Sequence, residues 1–142
     1  MLGVLRADGE APREPTAGHG PRSVGELLVR ARADGLTVDD EGVDEAATRV
    51  PERLAGVVHR TLQEALTNVR RHAPGASVQV RLVVGDSIVL EVVDDGPGAD
   101  EIVEGYGLRG MRERAESVGG TLVAGPGPTG FRVRLELPRV ER

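Results

Sequence analysis

The sequence predicts a two-layer α/β sandwich of the α+β class, in which helices cover one face of a mostly antiparallel, mixed sheet. Three observations predict it: a long amphipathic helix after Pro51, two β-rich runs joined by the short turn Gly85-Asp86, and a second pair of β-rich runs near the C-terminus. The elements do not alternate as regular β-α-β units, which disfavours a doubly wound parallel sheet.

The long helix is predicted from Pro51, a favourable first-turn residue, to about His72, where Ala73-Pro74-Gly75 ends it. Its apolar residues recur every three or four positions and predict a buried stripe: Leu54, Val58, Leu62, Leu66, Val69 and Ala73.

Two shorter helices are predicted on either side of it. The first covers about residues 24–33, with Ser23 as its cap, Glu26 completing a capping box and Gly35 ending it. The other runs from about Leu108 to Val118 and is ended by Gly119-Gly120.

Four strands are predicted with a fifth, less regular candidate. Ser77–Val84 and Ser87–Val93 form a hairpin, and Thr121–Ala124 pairs with Phe131–Leu137 around a loop at residues 125–130. In Leu36–Val43, Leu36 and Val38 alternate with polar residues before a run of acids.

Composition limits the possible functions. The 142 residues suit about one domain, and the net charge of −5 argues against a nucleic-acid partner. No run approaches the ~20 apolar residues of a membrane span, so we expect a cytoplasmic segment without membrane contact. The absence of cysteine excludes thiolate chemistry, and the absence of lysine excludes a GxxxxGK[ST] phosphate loop. Tyr106 and Phe131 are the only aromatic residues, so the chain does not offer an aromatic platform for stacking bases. If it binds an adenine, the ring would have to lie against aliphatic side chains.

The chain divides into three segments. Residues 1–6 are a short apolar piece that resembles the end of a longer element, and residues 7–22 have the Gly- and Pro-rich composition of a flexible linker. We therefore expect the domain itself to occupy residues 23–142, and the chain to be part of a larger protein.

Glu64 and Asn68 are the first candidate site residues. They lie about 40° apart on the long helix, while Leu62 and Leu66 point about half a turn away, so one face should pack and the other should be free for chemistry. A carboxylate and an amide oxygen are suitable ligands for Mg²⁺. The alternative is that both residues are ordinary solvated surface residues.

Two glycine-containing loops follow. Asp94 comes directly after a buried strand and precedes Gly96 and Gly98, so its carboxylate could accept a hydrogen bond from an exocyclic amine such as that of adenine; an ordinary acidic turn is the alternative. The run from Gly105 to Gly110 leads into a helix whose first N–H groups could bind an anion.

These three segments, in this order, closely resemble the N, G1 and G2 boxes of the GHKL ATPases, and more narrowly the ATP-binding domain of sensor histidine kinases of the nitrate-sensor or thermosensor type. The matching runs are Gln63 to Ala73, Val93 to Gly98 and Gly107 to Arg114. The resemblance covers about residues 23–138 and implies the Bergerat fold. It also makes residues 1–6 similar to the tail of the family's dimerisation helix.

The resemblance implies roles for individual residues. Asn68 would chelate Mg²⁺, Glu64 would polarise the attacking group or a water, and Asp94 would bind the adenine amino group. The remaining ATP-contacting positions that it implies are Arg71, His72, Gly96, Gly98, Gly105, Tyr106, Gly107, Leu108 and Gly110, the glycines from 105 onward forming a short lid. Gly130-Phe131 departs from the Gly-Thr of many relatives, and Thr129 is one residue out of register.

The resemblance also implies partners. A histidine on a separate dimerisation domain of the same protein would receive the γ-phosphoryl group and pass it to the receiver domain of a response regulator. None of His19, His59 and His72 has the family's acceptor motif, so we do not expect the chain to phosphorylate itself, and we expect a homodimer only in a full-length kinase. A cytoplasmic part of a membrane-bound kinase is compatible with this. The alternatives are a stand-alone anti-sigma-factor-type serine kinase and a nucleotide-binding module without catalysis.

Overall fold

The computed structural model describes residues 21–97 and 107–140, with side chains from residue 24 onward. Helices and strands form two layers around one apolar core, which confirms the predicted α+β sandwich. In chain order the elements are α1 (Pro21–Ala33), β1 (Thr37–Asp40), α2 (Val43–Ala47), α3 (Glu52–His72), β2 (Ser77–Val84), β3 (Ser87–Asp94), α4 (Leu108–Ser117), β4 (Thr121–Pro126) and β5 (Phe131–Pro138).

The five strands form one mixed sheet in the order β1-β2-β3-β5-β4. Only β1 and β2 pair in parallel, because α2 and α3 carry the chain back across the sheet between them; the other pairs are antiparallel. The register aligns a row of four buried leucines across the four antiparallel strands: Leu82, Leu90, Leu135 and Leu122. This row lies on the face that the helices cover.

The helices bury their apolar stripes against that face. All six predicted stripe residues of α3 are buried, and α4 adds Leu108, Met111 and Ala115 to the same core. Residues 132, 134 and 136 alternate with the buried residues of β5 and face the other side of the sheet, which carries arginines and glutamates. The core therefore holds α3 and α4 in fixed positions above the central strands.

The structure corrects three boundaries. Helix α1 begins at Pro21, so Ser23 lies inside the helix and the predicted cap is wrong. The β1 strand ends at Asp40, and the chain then turns at Gly42, whose φ is 74°, into the unpredicted helix α2. Finally, β4 extends to Pro126, so the predicted loop shortens to a tight connection.

The helices of the described residues do not include a candidate membrane span, since none combines the required length with sufficient hydropathy.

Candidate functional site

Glu64 and Asn68 lie one turn apart on α3, as predicted, but the face that carries them is not open. Asn68 is only 8% exposed, and the neighbouring Ala65 is buried as well. The face is therefore not free as predicted, and on the Glu64 side it is met by Arg114 of α4. Glu64 lies where α3 and α4 meet.

Two arginines hold the carboxylate of Glu64. Arg60, one turn earlier on α3, donates from Nε to Oε2 at 2.8 Å, and Arg114 of α4 donates from Nη2 to Oε1 at 2.7 Å. The Glu64 side chain is 23% exposed, so water still reaches part of it. Each oxygen has its own cationic partner, and this fixes the orientation of the carboxylate.

Asp94 is the last residue of β3 and is almost fully buried, with 5% of its surface exposed. Its Oδ1 accepts hydrogen bonds from the backbone N–H groups of Gly96, at 2.9 Å, and Phe131, at 3.2 Å. Among the described residues, donors reach only this oxygen of the carboxylate. Two backbone groups thus hold the side chain through one oxygen.

Sequence reasoning missed the support that the β4–β5 connection gives to Asp94. Thr129 donates its hydroxyl to the backbone oxygen of Asp94 at 2.8 Å, so the hydroxyl that Gly130-Phe131 lacks is supplied one residue earlier. Gly130 lies so close that a Cβ there would stand 2.5 Å from the same oxygen. The signal available in the sequence was the pair Thr129-Gly130, directly before the predicted strand.

The loop after β3 is fastened on both sides. Asp95 accepts a hydrogen bond from the backbone N–H of Ser77 and donates its own N–H to the Ser77 carbonyl, which ties the loop to β2. On the other side, a Cβ added at Gly96 would stand 2.5 Å from the Cβ of Ala73, at the end of α3. Gly96 is therefore required for this close approach.

The start of α4 lies at a different point along α3. Gly107 has a φ of 82°, precedes the first turn of α4, and would place a Cβ 3.4 Å from Oε1 of Glu64. Ala73 and Glu64 are nine residues apart, so the two contacts are separated by about 14 Å along the axis of α3. The Asp94 loop thus contacts the C-terminal end of α3, and the start of α4 contacts α3 near Glu64.

The other predicted contact residues fall into three groups. Arg71 and His72 are exposed at the end of α3, near the Asp94 loop. Leu108 is fully buried and its side chain belongs to the core; Gly110 lies against the guanidinium of Arg114. Gly98, Gly105 and Tyr106 lie outside the described residues.

The described residues do not gather three or more His, Asp or Glu side chains into one metal-binding group. Asn68 offers one amide oxygen on this face, beside the arginine-paired carboxylate of Glu64.

Comparison with known proteins shows which family this chain matches. Residues 55–141 match the family described as histidine kinase-, DNA gyrase B-, and HSP90-like ATPases. The sensor histidine kinase YxjM of Bacillus subtilis (strain 168) is 36% identical over 106 residues, which cover 72% of this chain and 25% of YxjM. The chain thus spans about a quarter of the length of this relative.

Two solved structures share the fold. A blue-light activated histidine kinase of Erythrobacter litoralis EL346 superposes with a TM-score of 0.66 and 26% identity, covering 84% of this chain and 41% of that one. The catalytic domain of histidine kinase ThkA superposes with a TM-score of 0.61 over 84% of this chain and 92% of that domain, at 13% identity. The second match concerns the fold alone.

Proposed function

Because the chain belongs to the family of histidine kinase-, DNA gyrase B-, and HSP90-like ATPases, we propose that it is the ATP-binding catalytic domain of a two-component sensor histidine kinase. The reaction is transfer of the γ-phosphoryl group of ATP to a histidine on a separate dimerisation domain. The bond between the γ-phosphorus and the bridging oxygen breaks, a bond from phosphorus to an imidazole nitrogen forms, and ADP leaves. We place this reaction in the cytoplasm.

One observation carries the proposal: the Asp94 loop and the start of α4 both contact α3, about 14 Å apart along its axis. An extended nucleoside triphosphate needs a site with two chemically different ends at such a separation. The Asp94 end offers a buried carboxylate. The other end offers Glu64, Asn68 and the first turn of α4.

Asp94 is suited to bind the exocyclic amino group of an adenine. A buried carboxylate whose Oδ1 is held by two backbone N–H groups cannot rotate freely, so Oδ2 presents an acceptor in a fixed direction. An exocyclic amine is the matching donor, directly or through a water. Base recognition by hydrogen bonding suits a chain whose aromatic residues are Tyr106 and Phe131 alone.

The Glu64 end is suited to the phosphates. The first turn of α4 has backbone N–H groups without intrahelical acceptors, and the helix dipole favours negative charge there. Asn68 would hold Mg²⁺ together with phosphate oxygens and waters; when bound, the ion neutralises charge on the β- and γ-phosphates. Glu64 would orient the attacking imidazole. Phosphoryl transfer depends mainly on positioning and electrostatics, and these residues would contribute to both.

The partners follow from this reaction. The histidine-bearing dimerisation domain of the same protein supplies the acceptor, and a response regulator receiver domain takes the phosphoryl group from it. The relatives named above are sensor kinases longer than this chain, which supports a role as one part of such a protein.

A transfer assay tests the proposal. The chain is incubated with Mg²⁺, γ-labelled ATP and a purified histidine-bearing dimerisation domain. We expect acid-labile label on the acceptor, because a phosphorus–nitrogen bond hydrolyses in acid. Glu64→Gln should lower the transfer rate on the order of a hundredfold while ATP binding is kept. Asp86→Asn, in the exposed β2–β3 turn, is the control that should transfer normally.

Two results would contradict the proposal. Acid-stable label on the partner would indicate a phosphoserine and hence a serine kinase. Nucleotide binding without any transfer to the acceptor would indicate a binding module without catalysis.

A further inference from the structure

Glu64 is paired with one arginine of its own helix and with one arginine of α4, and the two contacts differ. Arg60 is a neighbour on the same helix, four residues away, and its side chain is 53% exposed. Arg114 comes from α4, 50 residues along the chain, and is 32% exposed. Exposed i,i+4 pairs contribute little, so the contact that restrains Glu64 most is the one with Arg114.

Arg114 occupies this position at a cost. Its Nε atom is buried and has no hydrogen-bond partner in the described part of the chain. A buried donor without a partner is unfavourable, and packing of α4 alone would be served as well by an apolar side chain. A residue retained at such a position calls for a role beyond packing.

Two glycines border the ion pair. A Cβ at Gly110, one turn before Arg114, would stand 3.4 Å from Nη1 of Arg114, and a Cβ at Gly107 would stand 3.4 Å from Oε1 of Glu64. Any larger side chain at either position would extend into the space beside the pair. The Gly-Leu-Arg-Gly run therefore leaves room for the carboxylate and the guanidinium.

We propose that Arg114 is a positioning residue, which holds the carboxylate of Glu64 in its working orientation and fastens α4 to α3. It acts through Glu64, without contact to the nucleotide. This inference rests on the proposed function, because it assigns Arg114 a part in the same phosphoryl transfer.

The test is a double-mutant cycle in the transfer assay described above. The variants are Arg114→Gln, Glu64→Gln and the double substitution, with ATP affinity measured separately by calorimetry. Arg114→Gln alone should lower kcat by about tenfold to a hundredfold and change the dissociation constant of ATP by less than about threefold. In the Glu64→Gln background it should cause no further loss of kcat, since the residue through which it acts is gone.

Two further variants separate positioning from general stability. Arg114→Lys keeps the charge but lacks the planar fork of arginine, so we expect it to restore part of kcat. The control is Arg134→Gln, which removes an arginine of similar exposure, 39%, paired with Glu136 at 3.1 Å on the opposite face of the sheet. It should leave kcat unchanged.

Three results would overturn the inference. The first is an equal loss of kcat from Arg114→Gln in both backgrounds, and the second is a loss of ATP affinity in place of kcat, which would make Arg114 a phosphate ligand. The third is an unchanged kcat. If instead the unaltered chain neither binds ATP nor transfers phosphoryl groups, the proposed function itself fails, and the two failures are thereby distinguished.

Discussion

At the scale of single residues, the Asp94 carboxylate is defined by its backbone neighbours. Gly96 and Phe131 donate to one of its oxygens, Thr129 donates to its carbonyl, and Gly130 allows these groups to come together. The sequence placed Asp94 at the end of a buried strand, before a glycine-containing loop, because Asp-Asp-Gly after an apolar run is a local pattern. It could not predict Phe131 as a donor, because the donor is a backbone N–H group, which every residue except proline has. Nothing in the sequence marks the one that lies 37 residues from Asp94.

Gly130→Ala tests this close packing. The new Cβ would clash with both Oδ1 and the backbone oxygen of Asp94, so we expect the free energy of unfolding to fall by about 1–3 kcal/mol. Urea denaturation measures the change. Gly85→Ala is the matched control, since the nearest atom to its Cβ would be the Ser87 carbonyl oxygen at 4.0 Å, and we expect a change below about 0.5 kcal/mol. Equal effects at both glycines would contradict the described geometry.

At the scale of elements, α3 is the part on which the site is built. Its bounds were predicted well because Pro51 and the Ala73-Pro74-Gly75 run are strong local signals, and its stripe has a clear 3.6-residue period. Helix α2 was missed because five residues are too short to show a period, and the acids before it resembled a strand end. The burial of Asn68 was missed because helical periodicity places a residue on a face without showing what packs against that face.

Leu62→Ala tests the anchoring of α3. Leu62 is fully buried, so its truncation should lower the free energy of unfolding by about 2–5 kcal/mol through lost burial and a new cavity. Val29→Ala on α1, where the side chain is 64% exposed, is the control and should change stability by less than about 0.5 kcal/mol. Chemical denaturation of the three proteins gives both values. A loss below about 1 kcal/mol for Leu62→Ala would mean that α3 is not held by this core.

At the scale of the whole molecule, the fold brings together residues from four distant elements: the end of β3, the start of β5, the middle of α3 and the start of α4. The order of predicted helices and strands along the chain was enough to predict the fold class. Their arrangement about α3 was not predictable, because it depends on the sheet order, which places β5 between β3 and β4. The ion pair of Glu64 with Arg114 was missed for the same reason.

The most direct test of the central claim is the thermal unfolding of the chain with and without ATP and Mg²⁺. With ATP at a hundredfold excess over its dissociation constant, we expect the folded state to be stabilised by about 2.7 kcal/mol. Asp94→Asn should abolish this shift, because the amide would present a donor where the adenine amine needs an acceptor, whereas Asp86→Asn should keep it. An unfolding transition of the unaltered chain that does not respond to ATP would contradict the account.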